Sequence, residues 1–229
     1  MIKITIKIRI RREAASGLAL AAVLGQYPSR QPEHLYMSLD LPLMDYPKDL
    51  ELKDGFKCVL RPLESTDEMA FHEFFLAVPT QERLFIKHRV TDPAVIHQWC
   101  QNIDLGRNLP LLAVLDGQII ADATLHQHLG GWKRHVGRVS VLVHPKFRGR
   151  GLAKALITEI IDLARHQGLE KIEAEFIGEQ ATAMKVFGML GFLPLCRLSD
   201  YVKDMEGDAH DYFLLGLDLK TDEEYAGMG

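Results

Sequence analysis

The chain has 229 residues, of which 47% are hydrophobic and 25% charged, the balance of a globular protein that can bury a core. Its 27 basic and 31 acidic residues give a formal net charge of −4, so we expect no nucleic-acid partner, which needs a concentrated basic face. No apolar run approaches the roughly 18 residues that span a membrane. The scattered cysteines predict free thiols in a reducing, cytoplasmic setting rather than a disulfide framework or a zinc site: Cys58, Cys100 and Cys196.

The first 50 residues are predicted to be an extension that precedes the main domain. Isoleucine occupies alternate positions from residue 2 to residue 10, which predicts a strand that pairs with a sheet edge or with a second subunit in a homodimer. Residues 14–25 follow Arg11 and Arg12 and resemble a targeting signal. Glu13 and the short apolar length favour an added helix instead. The proline-rich residues 26–55 are interpreted as a connector.

Two helices are predicted in the first half of the main domain. A short strand at residues 56–60 leads to Ser65 and Glu68, which have the spacing of a capping box. A second helix is predicted to start at Asp92, with Pro93 in its first turn.

The second half alternates between strands and helices. The Asp116-Gly117 dipeptide between apolar runs predicts a hairpin. Gly168 and Gly191 are predicted to end two helices. The predicted segments are strands at 111–115, 119–128, 137–143, 171–176, 193–198 and 212–219, and helices at about 151–167 and 179–190. This order predicts an α/β domain over residues 51–220, with one mixed sheet, helices on both faces and a tail at 221–229.

A glycine-rich turn lies between a predicted strand and a predicted helix, with the sequence Arg148-Gly149-Arg150-Gly151-Leu152-Ala153. Glycines let the backbone approach a ligand, and N–H groups in the first turn of a helix have no partner inside it. Together with the helix dipole they form a site for a diphosphate, beside the two arginines. A plain tight turn is the alternative. Lys154 stands where the dinucleotide fingerprint needs its third glycine, and no Walker motif occurs.

Two motifs resemble the GNAT superfamily of N-acetyltransferases. Arg148-x-x-Gly151-x-Ala153 after a strand is similar to its signature Arg/Gln-x-x-Gly-x-Gly/Ala. Gln180-x-x-Ala183-x-x-x-Phe187-x-x-x-Gly191-Phe192 is similar to its Asn-x-x-Ala-x-x-x-Tyr-x-x-x-Gly-Phe. The resemblance covers about residues 55–219 and implies a GNAT-like acyl-CoA N-acyltransferase fold. It also implies acetyl transfer from acetyl-CoA to a primary amine, directly in a ternary complex.

The resemblance implies a set of cofactor contacts. Backbone groups of Leu142 and Val143 are expected to pair with the pantetheine arm, and the N–H groups of residues 148–153 to hold the pyrophosphate. Gln180 takes the place of an asparagine that contacts the cofactor arm, and Phe187 takes the place of a tyrosine whose hydroxyl protonates the leaving thiolate.

Glu175 is the candidate general base, because some relatives that acetylate protein N-termini carry a glutamate there. A carboxylate with an ordinary pKa of about 4.3 needs burial or a relaying water to act as a base. Pairing with a basic residue is the structural alternative. Since Phe187 cannot supply a proton, Tyr201, Tyr212 or water is expected to replace it, or the thiolate leaves unprotonated because thiols are acidic enough. A CoA-binding module without turnover remains the alternative function.

Three histidines invite a metal interpretation, namely His126, His128 and His135. His126 and His128 share a predicted strand face, but no third ligand at fixed geometry is evident, so we expect no metal site. The histidines are alternatively bases lining the acceptor groove.

Overall fold

The computed structural model describes residues 43–220. The predicted strand at 2–10, the apolar stretch at 14–25, the first part of the connector and the tail at 221–229 lie outside the described residues.

The described residues form one sheet flanked by helices. Its strands are β1 (Lys48–Glu51), β2 (Lys57–Pro62), β3 (Asn108–Leu115), β4 (Gln118–His126), β5 (Val136–Val143), β6 (Lys171–Ile177), β7 (Leu193–Lys203) and β8 (Ala209–Asp218). The helices are α1 (Glu68–Ala77), α2 (Thr80–Arg83), α3 (Pro93–Gln101), α4 (Leu152–His166) and α5 (Ala181–Met189). The sheet order is β1-β2-β3-β4-β5-β6-β8-β7, and only β5 and β6 run parallel within it.

The core lies on both faces of this sheet. On one face, Leu156 and Ile160 of α4 pack with Leu125 of β4. On the other, Phe74 of α1 and Ile96 of α3 belong to a second cluster. This arrangement confirms the predicted mixed sheet with helices on both faces. No helix within residues 43–220 has the length and apolarity needed to cross a membrane.

The structure confirms the predicted hairpin turn and the predicted start of α3. Asp116 and Gly117 have φ angles of 49° and 80°, so both adopt the left-handed conformation that a two-residue hairpin turn requires. Asp92 caps α3 by accepting the N–H of Ala94 at 2.9 Å, and Pro93 follows at the start of the helix.

The connector prediction was wrong at Lys48–Glu51, which forms the edge strand β1 and pairs with β2. Four residues are too few to show a strand period, and the nearby prolines obscured it. The short helix α2 was not predicted, because its four residues are too few to show a helical period. β7 continues to Lys203 and β8 begins at Ala209, both beyond their predicted limits.

The predicted capping box of Ser65 and Glu68 was also wrong. A short 3-10 turn precedes α1, and the carboxylate of Asp67 accepts the backbone N–H of Glu64 at 2.9 Å. Both Asp67 oxygens also accept hydrogen bonds from Arg61, each at 2.6 Å. The ion pair with Arg61 of β2 therefore makes Asp67, rather than Ser65, the residue that organises the turn.

We expect Asp67→Ala to lower the free energy of unfolding by about 3 kcal/mol, because Arg61 would be left half-buried without its partner. Burial alone would raise the pKa of Asp67, but the hydrogen bonds from Arg61 and Glu64 outweigh it and hold the pKa below its ordinary value. The stabilisation is thus present above the ordinary carboxyl pKa and is lost as pH falls through the lowered folded value. Urea denaturation measures both effects.

Glu64→Ala is the matched control, since this carboxylate lies 4.0 Å from the same guanidinium and is 60% exposed. Its removal should change stability by less than about 0.5 kcal/mol. Equal losses in the two variants would contradict the role given to Asp67.

Candidate active site

β5 and β6 separate partway along their length. They pair only from Val136↔Lys171 to Arg138↔Glu173, while β5 continues to pair with β4 as far as Val143. Residues 139–143 therefore present one backbone edge to an opening instead of a neighbouring strand. We call this opening, between residues 139–143 of β5 and 174–177 of β6, the splay.

The ladder between β4 and β5 decides which backbone groups face the splay. The N–H of His144 donates to the carbonyl of Ile120 at 2.9 Å. Because hydrogen-bonding groups point alternately to the two sides of an antiparallel strand, those of Leu142 face β4 and those of Val141 and Val143 face the splay. The expected backbone contact thus moves from Leu142 to Val141, beside Val143.

The glycine-rich turn places a row of unpaired donors at the start of α4. Gly149 and Gly151 have φ angles of 79° and 95°, the left-handed region that glycine adopts without strain. No atom lies within 4 Å of a Cβ built on either glycine, so the space beside them is open. From Gly149 to Lys154, no backbone N–H has a hydrogen-bond partner among the described residues. Unpaired N–H groups at a helix N-terminus favour an anion such as a diphosphate.

The two arginines of the turn are engaged with carboxylates. Arg148 makes two 2.8 Å hydrogen bonds to Glu82 of α2, and its Nε donates to the carbonyl of Val143 at 3.0 Å. Arg150 donates to Asp54 at 2.8 Å and lies over the ring of Phe56 at 4.9 Å. Both charges are compensated here. The free N–H groups, rather than the arginines, therefore make the turn attractive to an anion.

The other predicted cofactor residues differ in whether their side chains can reach a ligand. Gln180 uses its side-chain oxygen to accept the N–H of Ile177 at 3.1 Å, which leaves its amide nitrogen for a ligand. Phe187 is 1% exposed and packs 4.9 Å from the rings of both Phe176 and Phe192. The structure offers no surface of Phe187 to a ligand, so we assign this residue to the core. The side chain of Leu152 is also buried, and only its backbone faces the turn.

Glu175 lies on β6 just beyond the last residue that pairs with β5. Its Oε2 accepts hydrogen bonds from Arg138 at 3.1 Å and from Lys87 at 3.3 Å, and its Oε1 accepts one from Tyr212 at 3.3 Å. Burial would raise the pKa of Glu175, but the two cations outweigh it and hold the pKa below its ordinary value. Glu175 is therefore a carboxylate at neutral pH, and the pairing considered from the sequence is present.

Tyr212 is the tyrosine that reaches Glu175. Burial and the charge of Glu175 raise the pKa of Tyr212, so its hydroxyl stays protonated at neutral pH. Tyr201 is 66% exposed and packs against Tyr212, with ring centroids 5.8 Å apart. Of the two candidate proton donors, Tyr212 has the contact with the site.

His126, at the end of β4, interacts electrostatically with Arg138, Lys87 and Glu175. Its Nδ1 is 2.7 Å from Asn108 Oδ1 and its Nε2 is 3.1 Å from Ser140 Oγ. Burial, helped by the charge of Arg138, lowers its pKa to about 4, so the ring is neutral at pH 7. Within residues 43–220, the side chains close enough to share a metal are Asp204, Glu206 and Asp208, none of them a histidine. Asp204 instead accepts three backbone N–H groups of its own turn.

A loop between α2 and α3 covers this side of the splay. The carbonyl of Leu84 accepts the N–H of Met205 at 3.3 Å, and the rings of Phe85 and His210 lie 4.9 Å apart. His88 meets Trp99 of α3 edge-on at 5.3 Å. These contacts position Lys87 above the sheet. No sequence pattern pointed to Lys87 or Glu82, and Arg138 was visible only as a polar residue inside a strand.

The chain is similar to several known acetyltransferases. A 98-residue segment, 42% of this chain, is 26% identical to the L-amino acid N-acetyltransferase AaaT of Escherichia coli K12 and spans 60% of that protein. Among solved structures, the GNAT domain of S. lividans PAT has a TM-score of 0.62 at 22% identity, over 75% of this chain and 96% of that one.

Two further structures share the fold. The putative acetyltransferase yncA from Salmonella typhimurium, solved with acetyl-CoA, has a TM-score of 0.61 at 20% identity, over 72% of this chain and 95% of that one. The ribosomal-protein-S5-alanine acetyltransferase of Vibrio fischeri has a TM-score of 0.65 at 18% identity, over 76% and 97%. The family model of the acetyltransferase (GNAT) family matches residues 71–192, which include the splay, the glycine-rich turn and Glu175. The chain therefore belongs to the acetyltransferase (GNAT) family.

Proposed function

We propose that this protein is an N-acetyltransferase that transfers an acetyl group from acetyl-CoA to a primary amine, directly within a ternary complex. The observation that carries the proposal is the row of unpaired N–H groups from Gly149 to Lys154, which opens beside the splay. A helix N-terminus holds a diphosphate, and an unpaired strand edge holds an amide-containing arm. Acetyl-CoA carries both.

The residues of the chain fit such a ligand. The turn would hold the diphosphate through backbone N–H groups, in the space that the two glycines leave open. Val141 and Val143 would pair with the arm, and the free amide nitrogen of Gln180 would add a further donor. Arg148 would remain at the mouth of the splay, held by Glu82 and Val143.

Acetyl-CoA supplies an acetyl group activated as a thioester. The acceptor arrives as an ammonium ion and must lose a proton before its nitrogen can form a bond, while the departing sulfur must gain one. One C–N bond forms, one C–S bond breaks, and the products are the N-acetyl amine, CoA thiol and one released proton.

The polar groups beside the splay can move these protons. We assign Glu175 as the base, acting through a water molecule, because it is ionised throughout the neutral range and lies beside the splay. Tyr212 is the donor for the leaving sulfur, since its hydroxyl is protonated and contacts Glu175. Tyr201 packs on Tyr212 and is the second candidate.

The proposal predicts that kcat/KM rises as pH increases through the neutral range. Glu175 is already ionised there because its pKa is lowered, so the change comes from deprotonation of the acceptor amine. Initial rates of CoA release at a series of pH values measure this. A rate that falls with rising pH would contradict a carboxylate base.

The experiment that tests the function is a turnover assay with acetyl-CoA and a panel of amines: amino acids, polyamines, aminoglycosides and peptides. Release of CoA thiol and a product heavier by one acetyl group are expected with at least one amine. Binding of acetyl-CoA without turnover of any amine would favour the alternative, a CoA-binding module. The buried Phe187, which stands in place of a proton donor, supports that alternative.

A further inference from the structure

The charges around Glu175 identify the kind of acceptor that this site fits. We propose that the acceptor is a small zwitterion in which a carboxylate lies next to the amine, and that Arg138 and Lys87 bind this carboxylate. The inference rests on the proposed function and names its substrate class.

Cations outnumber anions at this point of the sheet. Arg138 and Lys87 both donate to Glu175, and they reach it from different elements, β5 and the loop before α3. Tyr212 and His126, the other ionisable side chains facing Glu175 and Arg138, are neutral at pH 7. Among these described groups, one positive charge is left without a counter-ion.

Neighbouring acidic groups do not supply that counter-ion. Glu173, two residues earlier on β6, makes hydrogen bonds of 2.9 and 3.1 Å with Lys133. Farther along the same side, Glu179 is paired with His210 at 2.8 Å. The excess positive charge therefore stays beside Glu175.

The cations also have donors to spare. Within residues 43–220, Arg138 donates a hydrogen bond through its Nη1 atom, to Glu175. The other N–H groups of the Arg138 guanidinium are open to a ligand. The side chains of Lys87 and Arg138 are 65% and 36% exposed, so an acceptor can reach them. A planar guanidinium beside an ammonium matches the two oxygens of a carboxylate.

The two carboxylate oxygens of Glu175 have different neighbours. Oε2 faces both cations, whereas Oε1 contacts only the hydroxyl of Tyr212 among the described residues. An acceptor carboxylate on the side of Oε2 places the adjacent amine near Oε1, where the proton must leave. A purely cationic amine would instead meet Lys87 and Arg138 without any compensating charge.

The test compares matched pairs of acceptors, namely α- and β-amino acids and their carboxamides, in the acetyl-CoA turnover assay. We expect at least one acid to have a kcat/KM at least about tenfold above that of its amide, the gain typical of a charge-assisted contact. The amine of an amide is the less basic of the two, so a preference for the acid cannot come from amine deprotonation.

Variants then assign the preference to the cations. Arg138→Gln and Lys87→Gln should each reduce the acid-to-amide ratio of kcat/KM by about tenfold. The ratio is used because any effect on Glu175 applies to both acceptors and cancels. Lys133→Gln, which removes a lysine paired to Glu173 on the same sheet face, should leave the ratio unchanged.

Three results would overturn the inference: amides used as well as acids, turnover only of amines that lack an anion, or no acid turned over at all. Titration calorimetry with acetyl-CoA separates these from failure of the proposed function. A protein that binds acetyl-CoA but prefers a polyamine keeps its proposed function and loses only the zwitterionic acceptor.

Discussion

The Gly151→Glu variant should bind acetyl-CoA at least about 100-fold more weakly than the wild type. A carboxylate at this position would stand at the N-terminus of α4, in the open space where the diphosphate is proposed to bind. Two unit charges about 4 Å apart near a protein surface repel by about 4 kcal/mol, which more than covers this loss. Isothermal titration of the two folded proteins with acetyl-CoA measures it.

Gly168→Glu is the matched control for this variant. Gly168 follows the other end of the same helix, has a φ of 73°, and likewise has no atom within 4 Å of an added Cβ. Both substitutions impose a similar backbone strain of roughly 1–2 kcal/mol, but only one places a negative charge at the turn. Equal affinities of the two variants would show that the turn does not hold the diphosphate.

Glu175→Gln should lower kcat by about 100-fold or more while leaving the affinity for acetyl-CoA unchanged. The amide keeps the shape of the side chain and can still accept the hydrogen bond of Tyr212, but it cannot take a proton. Steady-state rates with the best acceptor of the panel, at saturating acetyl-CoA, give kcat directly.

Glu173→Gln distinguishes catalysis from general charge effects. Glu173 lies on the same strand and the same sheet face and is also paired with a lysine, but it precedes the splay. It should retain kcat within about threefold, as expected for a substitution outside the proton path. A full rate in Glu175→Gln would remove Glu175 from the mechanism and leave water as the base.

Local chemistry explains why so much of the fold was predictable. The Asp116-Gly117 turn, the cap at Asp92 and the helix end at Gly168 each depend on residues next to one another in sequence. The alternation of β6 also held, with Ile172 and Ala174 buried on one face and Glu175 on the other. Such patterns are visible without knowing the partner of any residue.

The parts that could not be predicted depend on partners in other elements of the structure. Asp67 displaced the expected cap because Arg61, on another element, holds it. The contacts of Glu175 with Lys87 and Arg138 span 88 and 37 residues, and no spacing rule reaches so far. The shift from Leu142 to Val141 needed the register of β4 against β5, which only the folded sheet provides.

Hydrogen exchange on the wild-type protein tests whether acetyl-CoA binds along the glycine-rich turn and the splay. At saturating acetyl-CoA, we expect slowed exchange of the backbone N–H groups from Gly149 to Lys154 and of Val141 and Val143, because these are the unpaired donors proposed to bind it. Unchanged exchange at these positions with the ligand bound, or protection confined to another part of the chain, would contradict the site and with it the proposed acetyltransferase mechanism.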